Sequence, residues 1–358
     1  MAHEAHDYVI TVRNGIIENK HRIHAAVTDA NGALLFALGD PLRITLARSA
    51  AKPAQALAIL ETGARQKFGF DDVDVALMCG SHSSEDMHVS RAAAMLAKLP
   101  AKEDDLRCGG HPALSDKVNR AWVKSDYSPT ALCNDCSGKH AGMLAGALAI
   151  GSDMLDYHLP THPMQVHVKR VIEDLSGAKR GDVLWALDGC NLPAPALPLR
   201  HLAQTYARVA SAVDEVGNGN NALLFPPRTT YLAEIYRSMA AHPEMVGGED
   251  RFCTLLMEVF AGALIAKLGA DGCYGIGIRT SPDTLALGAE GDAIGVAVKV
   301  EDGSIEIVYA VVMEILEQLR IGTAEQRAKL DHFHHVKRMN TMGVVTGSVK
   351  PDFRLRTV

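Results

Sequence analysis

The stretch KHRIHAAVTDANGALLFALGD, residues 20–40, decides the fold. Two apolar-rich runs flank Ala-Asn-Gly, and Asn31-Gly32 suits the positive φ angles of a hairpin turn, so the runs read as antiparallel strands. YVITV (8–12) adds a strand before them. Beyond Gly269, CYGIGI, LALGA, AIGVAVKV and EIVYAVVM read as glycine-punctuated strands that close in a helix over MEILEQLRIG (313–322). Between the ends, helical periodicity runs through AQALAILETGA (54–64), EDMHVSRAAAMLAKL (85–99), AGMLAGALAI (141–150), HVKRVIEDL (167–175), LRHLAQTYARVASAV (199–213), TTYLAEIYRSMAA (229–241) and CTLLMEVFAGALIAKLGA (253–270). One short buried strand is expected at VDVALMCG (73–80). The expected fold is therefore mixed α/β, of an α+β kind: an antiparallel sheet from both chain ends, helices packed on it, and a helical lobe in the middle. With no long linker, charge block or repeat, residues 1–358 read as a single domain with two lobes.

Composition narrows the function classes. A chain of 358 residues with 47% hydrophobic content has ample material for a core. The net charge of -6 offers no basic excess for nucleic acid or an anionic membrane, so a small-molecule partner is expected. No stretch approaches the roughly 20 apolar residues of a membrane span, and MAHEAHDYVITV lacks a cationic segment followed by an apolar run, so a cytoplasmic location is expected. Seven cysteines, at 79, 108, 133, 136, 190, 253 and 273, are odd in number and scattered, which argues for reduced thiols over a disulfide framework.

Several segments carry residue types suited to chemistry. RSAAKPAQ (48–55) places Ser49 and Lys52 three apart ahead of an apolar helix, so that a neutral lysine could take the serine proton; the bland reading is a helix cap with a surface lysine. CGSHSSEDMH (79–88) sets Ser81 in a turn before a helix, with Ser83 and Asp86 at capping-box spacing and His82 and His88 available as hydrogen-bonding groups. CNDCSGKHAGML (133–144) contains Cys133-x-x-Cys136, Lys139 and His140, and DGCNLPAPALP (188–198) adds Cys190. Without a second C-x-x-C or a histidine pair, four-cysteine and two-cysteine, two-histidine zinc sites are poor readings. Lys267 near Gly269 reads blandly as the cationic end of a helix. HFHH (332–335) is a candidate for metal binding, but, lacking thiols or carboxylates at motif spacing, it reads rather as a solvated polar segment.

Taken in order, RSAAKP, CGSHSSEDMH, NDCSGKHAGML, DGCNLPAPALPL and AKLGADG resemble the L-asparaginase II family, the rhizobial-type asparaginases, along nearly the whole chain. The resemblance implies a fold similar to serine β-lactamases and glutaminases, a homodimer, and hydrolysis of L-asparagine to L-aspartate and ammonia. It also implies two serine/lysine pairs around one substrate, Ser49 with Lys52 and Ser81 with Lys267, beside a zinc ion on Cys136, Lys139 and Cys190. Arg48, His82 and Asp188 are candidates for gripping the amino-acid head group or steadying the metal shell. The family usually has another residue where Cys133 stands, so only Cys136 of the C-x-x-C is carried over as a ligand.

The implied chemistry makes a demand. A free lysine titrates near 10.4, and bringing it to about 7 takes roughly 4 to 5 kcal/mol of differential interaction. Burial and crowded positive charge would supply it. Rival readings are a glutaminase or another serine amide hydrolase on the same scaffold, and a zinc-stabilised binding module without turnover. The β-lactamase variant lacks S-D-N and K-T-G elements after the S-x-x-K.

Overall fold

The structure is a computed structural model that describes residues 7–179, 181–217, 225–289 and 293–358. They form two compact units. One comprises the chain up to Ala50 with Leu197–Ser211 and Val259–Val358; the other comprises Ala51–Ala196 and Ala212–Glu258.

The first unit is built on a nine-stranded sheet drawn from both chain ends, with antiparallel pairing throughout. Its main path runs Lys337–Met339, Val345–Phe353, Asp7–Arg13, Ile16–Asp29, Ile294–Val300, Cys273–Ile278, Leu264–Gly269, while Leu34–Leu38 pairs with both Ile16–Asp29 and Arg356–Thr357. The hairpin expected at Asn31-Gly32 forms: Gly32 has φ 94° and Asp29 accepts the Ala33 amide at 2.8 Å.

The glycines of CYGIGI and AIGVAVKV have a packing cause. A Cβ on Gly275 would collide with the Tyr206 ring, and one on Gly277 or Gly295 with the carbonyl oxygens of Tyr206 or Ala203. The helix Leu199–Val216 thereby lays its backbone close against the sheet over these residues.

Four expected elements differ, three of them as follows. EIVYAVVM belongs to the helix Ile305–Gln318, capped by Ser304, whose Oγ accepts from the Ile307 amide. Its β-branched run is buried on most sides, which erases the polar face that would have betrayed a helix. LALGA overlaps the short helix Pro282–Ala286, which Ser281 caps. CTLLMEVFAGALIAKLGA breaks at Ala261 and Gly262, with φ of 46° and 83°, into the helix Phe252–Phe260 and the strand Leu264–Gly269. Lys267 is therefore a mid-strand residue, not a helix terminus.

The second unit is mainly helical. The helix Asp72–Cys79 packs against the helices Lys52–Glu61, Ser137–Ala149 and Pro227–Ala241. It replaces the strand expected at VDVALMCG: Asp71 and Asp74 form a reciprocal capping box, and Val75–Cys79 are buried in succession because neighbours cover the helix on several sides. Asp74 is wholly buried and answers two cations, Arg91 Nε at 2.6 Å and Lys98 Nζ at 2.7 Å. Leu184–Leu187 pairs antiparallel with Pro193–Pro198.

Candidate active site

Lys52 opens the helix Lys52–Glu61 and is fully buried. Its amine donates to the Gly80 carbonyl and lies 3.0 Å from Ser81 Oγ. A side chain at position 80 would meet the Met245 carbonyl, so glycine lets the 80–85 loop pass close to that segment. The Ser81 amide then donates to Val246 O at 2.9 Å. The expected capping pair Ser83 and Asp86 does not form: Ser83 Oγ donates to Gly247 O, and the helix Asp86–Ala97 starts at Glu85 with a box to His88.

His82 is completely buried, stacked on His88 at 5.0 Å between ring centroids. Its Nδ1 accepts from the Ser84 amide at 3.2 Å, which leaves Nε2 as the protonated nitrogen, 2.9 Å from Ser137 Oγ. Burial, with His88 adding to it, lowers its pKa to about 3. Both nitrogens of His82 are thus engaged within the protein.

The motif CSGKHAGML is half packing and half chemistry. Gly138 and Gly142 sit one turn apart on the helix Ser137–Ala149; a Cβ on the first would lie 2.5 Å from Leu77 Cγ, and on the second 2.8 Å from Ile59 Cδ1. This close approach sinks the start of the helix into the unit and buries Cys136, Lys139 and His140. Lys139 Nζ lies 3.1 Å from Cys190 Sγ, and Cys136 and Cys190 are hydrogen-bonded to each other. The Cys136 bond, opposed by burial and aided by Lys139, pulls Cys190 down to about 5, while Cys136 is pushed up as the partner that keeps the proton. Burial works against the Lys139 charge, but Cys136, Cys190 and Asp188 outweigh it and hold the amine above the ordinary lysine value. The protein groups around Lys139 thus favour the ammonium, and a ligating role would require displacing its proton. Asp188 stands half-buried at the head of the turn to Leu192, accepting the Gly189 amide at 2.7 Å. Cys133 is buried with its sulfur 3.3 Å from Tyr127 Oη, and all seven cysteines are thiols outside any disulfide.

Ser49 and Lys267 belong to the other unit. Ser49 lies half-buried in the 3-10 turn Arg48–Ala51, whose first residue has φ 50° and pairs through its guanidinium with Asp271. Tyr206 Oη donates to Ala50 O at 2.7 Å, and a Cβ on Gly269 would lie 3.3 Å from that of Ala50. Side chains two apart on a strand share a face, so buried Lys267 faces the same side as the turn; its amine donates to Leu268 O at 2.7 Å. Tyr206 carried no local signal, because its role depends on a glycine far along the chain.

Asp331, His334 and His335 form a further group, with one donor atom from each within 4.8 Å of the others. HFHH is therefore not simply solvated: it overlaps the short helix Asp331–His334, and His334 is buried.

These features define a mixed α/β protein with a lysine/serine contact beside a buried thiol and amine cluster in one unit, and a serine turn facing a lysine-bearing strand in the other. The profile of the L-asparaginase II family matches residues 9–351, and the chain belongs to that family, one of asparaginase-type amidohydrolases acting on an amide substrate. No curated protein matches it. Among the described residues, no helix is long and apolar enough to cross a membrane.

Proposed function

We propose that this protein hydrolyses L-asparagine to L-aspartate and ammonia through a serine-bound acyl intermediate. The observation that supports it most is the buried Lys52 amine 3.0 Å from Ser81 Oγ, a hydrogen-bonded base and hydroxyl within reach of proton transfer. Ser49 attacks the side-chain amide carbon, and Lys52 takes the proton, with Ser81 as the hydroxyl through which that amine exchanges protons. Ser81 and Lys267 then return a proton to the departing ammonia, backbone amides hold the oxyanion, and water resolves the ester. Arg48 meets the substrate carboxylate in exchange for Asp271, while His82 and Asp188 steady the loop and the thiol cluster.

Cys136, Lys139 and Cys190 suit zinc as a donor set, since one thiol is already drawn toward thiolate and an amine touches it. When bound, zinc would supply positive charge and Lewis-acid polarisation. A homodimer, on the strength of the family resemblance, and a cytoplasmic enzyme forming a single two-lobed domain, on the strength of the sequence pattern, complete the proposal.

Ammonia release from asparagine and glutamine at equal concentration tests it, with Lys52→Met and Ser81→Ala as controls. Faster glutamine turnover would make the protein a glutaminase, since pockets separate the two by only about 1 to 3 kcal/mol. Full activity in both variants would remove the proposed site, and no turnover of either amide would favour the binding module.

A further inference from the structure

The C-terminal part of the first unit carries a cluster that the amidase chemistry does not use. Asp331, His334 and His335 stand at i, i+3 and i+4, the spacing that puts side chains on one side of a helical turn. His335 Nδ1 is 2.6 Å from Asp331 Oδ1, and the rings of His334 and His335 lie 4.1 Å apart. Asp331 and His335 are exposed, while His334 is buried.

What separates this from an ordinary surface ion pair is the support beneath His334. Its Nε2 lies 2.8 Å from Glu314 Oε2 on the helix Ile305–Gln318, and the other oxygen of Glu314 accepts from Gln318 Nε2 at 2.7 Å. The carboxylate is thus tied at both oxygens and fixes the ring, leaving Nδ1 as the nitrogen available to a cation. Phe333 packs edge-on against Tyr309 of the same helix, at 5.7 Å and 87°, and anchors the turn from its other side. A carboxylate that orients a ligating imidazole from behind is the usual support of protein metal ligands.

We propose that Asp331, His334 and His335 bind a divalent transition cation of the zinc, cobalt or nickel type, with Glu314 as the positioning residue. Two imidazoles and one carboxylate exclude magnesium and calcium, which take oxygen donors. The ion staples the 331–335 turn, which the His334–Glu314 contact ties to the helix Ile305–Gln318 just ahead of the edge strand Lys337–Met339. It is separate from the thiol cluster and plays no part in turnover.

Zinc titration by calorimetry tests this in the full chain carrying Cys136→Ser and Cys190→Ser, which removes the thiol donors. One equivalent should bind. Adding His335→Ala, an exposed position that folding does not need, should weaken binding at least about tenfold, and Glu314→Gln should weaken it about 10- to 100-fold without changing the stoichiometry. Should the cysteine variant fold poorly, His335→Ala alone should bind one equivalent of zinc fewer than the parent chain and keep its amidase activity. Equal zinc uptake with and without His335, or no uptake by the folded cysteine variant, would overturn the proposal. Neither result bears on the asparaginase reading, which ammonia release measures independently.

Discussion

The two units hold a lysine and a serine by different means. In the helical unit the Lys52 amine touches Ser81 Oγ directly, and the loop that carries the serine bends close because position 80 has no side chain. In the sheet unit the constraint acts on backbone: Tyr206 grips the Ala50 carbonyl, Gly269 admits the turn, and Lys267 faces it through strand alternation. One arrangement fixes the contact itself, the other the platform beneath it. Truncating a reacting side chain should therefore act sharply in both, whereas disturbing the support should act more in the second.

The largest expected effect is on turnover. Lys52→Met and Ser81→Ala should each lower kcat/KM by about 10^4-fold, the scale of losing proton transfer to a reacting group. Ser49→Ala and Lys267→Met should lose a similar factor. Steady-state ammonia release measures all four, and a Ser49→Ala enzyme that keeps a tenth of its activity would reassign attack to Ser81.

Next come the supports. Gly275→Ala should destabilise the sheet unit by about 3 kcal/mol, since its Cβ would lie 2.0 Å from the Tyr206 ring, while Gly138→Ala should cost about 2 kcal/mol, since its Cβ would meet Leu77 Cγ at 2.5 Å and the Leu77 carbonyl oxygen at 2.9 Å. Urea denaturation would rank them, and the reverse order would undo the distinction between platform and contact.

Acid should single out the helical unit. Burial first, then neighbouring positive charge from His88 and Lys139 respectively, lowers His82 and His140 to about 3. An unfolded chain with ordinary histidines binds protons that the folded one refuses between about pH 6.5 and 3, so stability should fall as pH falls through that window. Roughly 3 kcal/mol should be lost between pH 6.5 and 5 from the pair, at about 1.4 kcal/mol per unit for each group. Hydrogen exchange at the two pH values should show the loss in the unit that carries both histidines; a uniform loss would contradict it.

The smallest change is the most diagnostic. Tyr206→Phe removes the bond to Ala50 O and should cost about 1 kcal/mol. If the platform positions Ser49, kcat should drop about tenfold with little change in KM.

The sheet was legible where YVITV, the Asn31-Gly32 hairpin, CYGIGI and AIGVAVKV read as strands, but Lys337–Met339 and Val345–Phe353 were not read from the sequence. Lys267 was misplaced because Ala261-Gly262 breaks an otherwise continuous apolar run, and a break that requires positive φ at alanine leaves little trace in composition. The helices at 72–79 and 305–318 were hidden by their own burial, although Asp71 and Asp74 at capping spacing did mark the first. The thiol and amine cluster was readable only through family resemblance, because Cys136 and Cys190 are 54 positions apart in the chain. The contact between Lys52 and Ser81 had no sequence signature: both residues were singled out, each beside a different partner.

The stripe of glycines at 138, 142 and 146, each crowded by a neighbour from another part of the unit, constrains descent as well as chemistry. A descendant that had abandoned amides altogether would still be pressed to keep those positions bare, since any branch there would lever the helix outward. Retention of this signature therefore testifies first to architecture, and an inactive cousin could wear it unchanged.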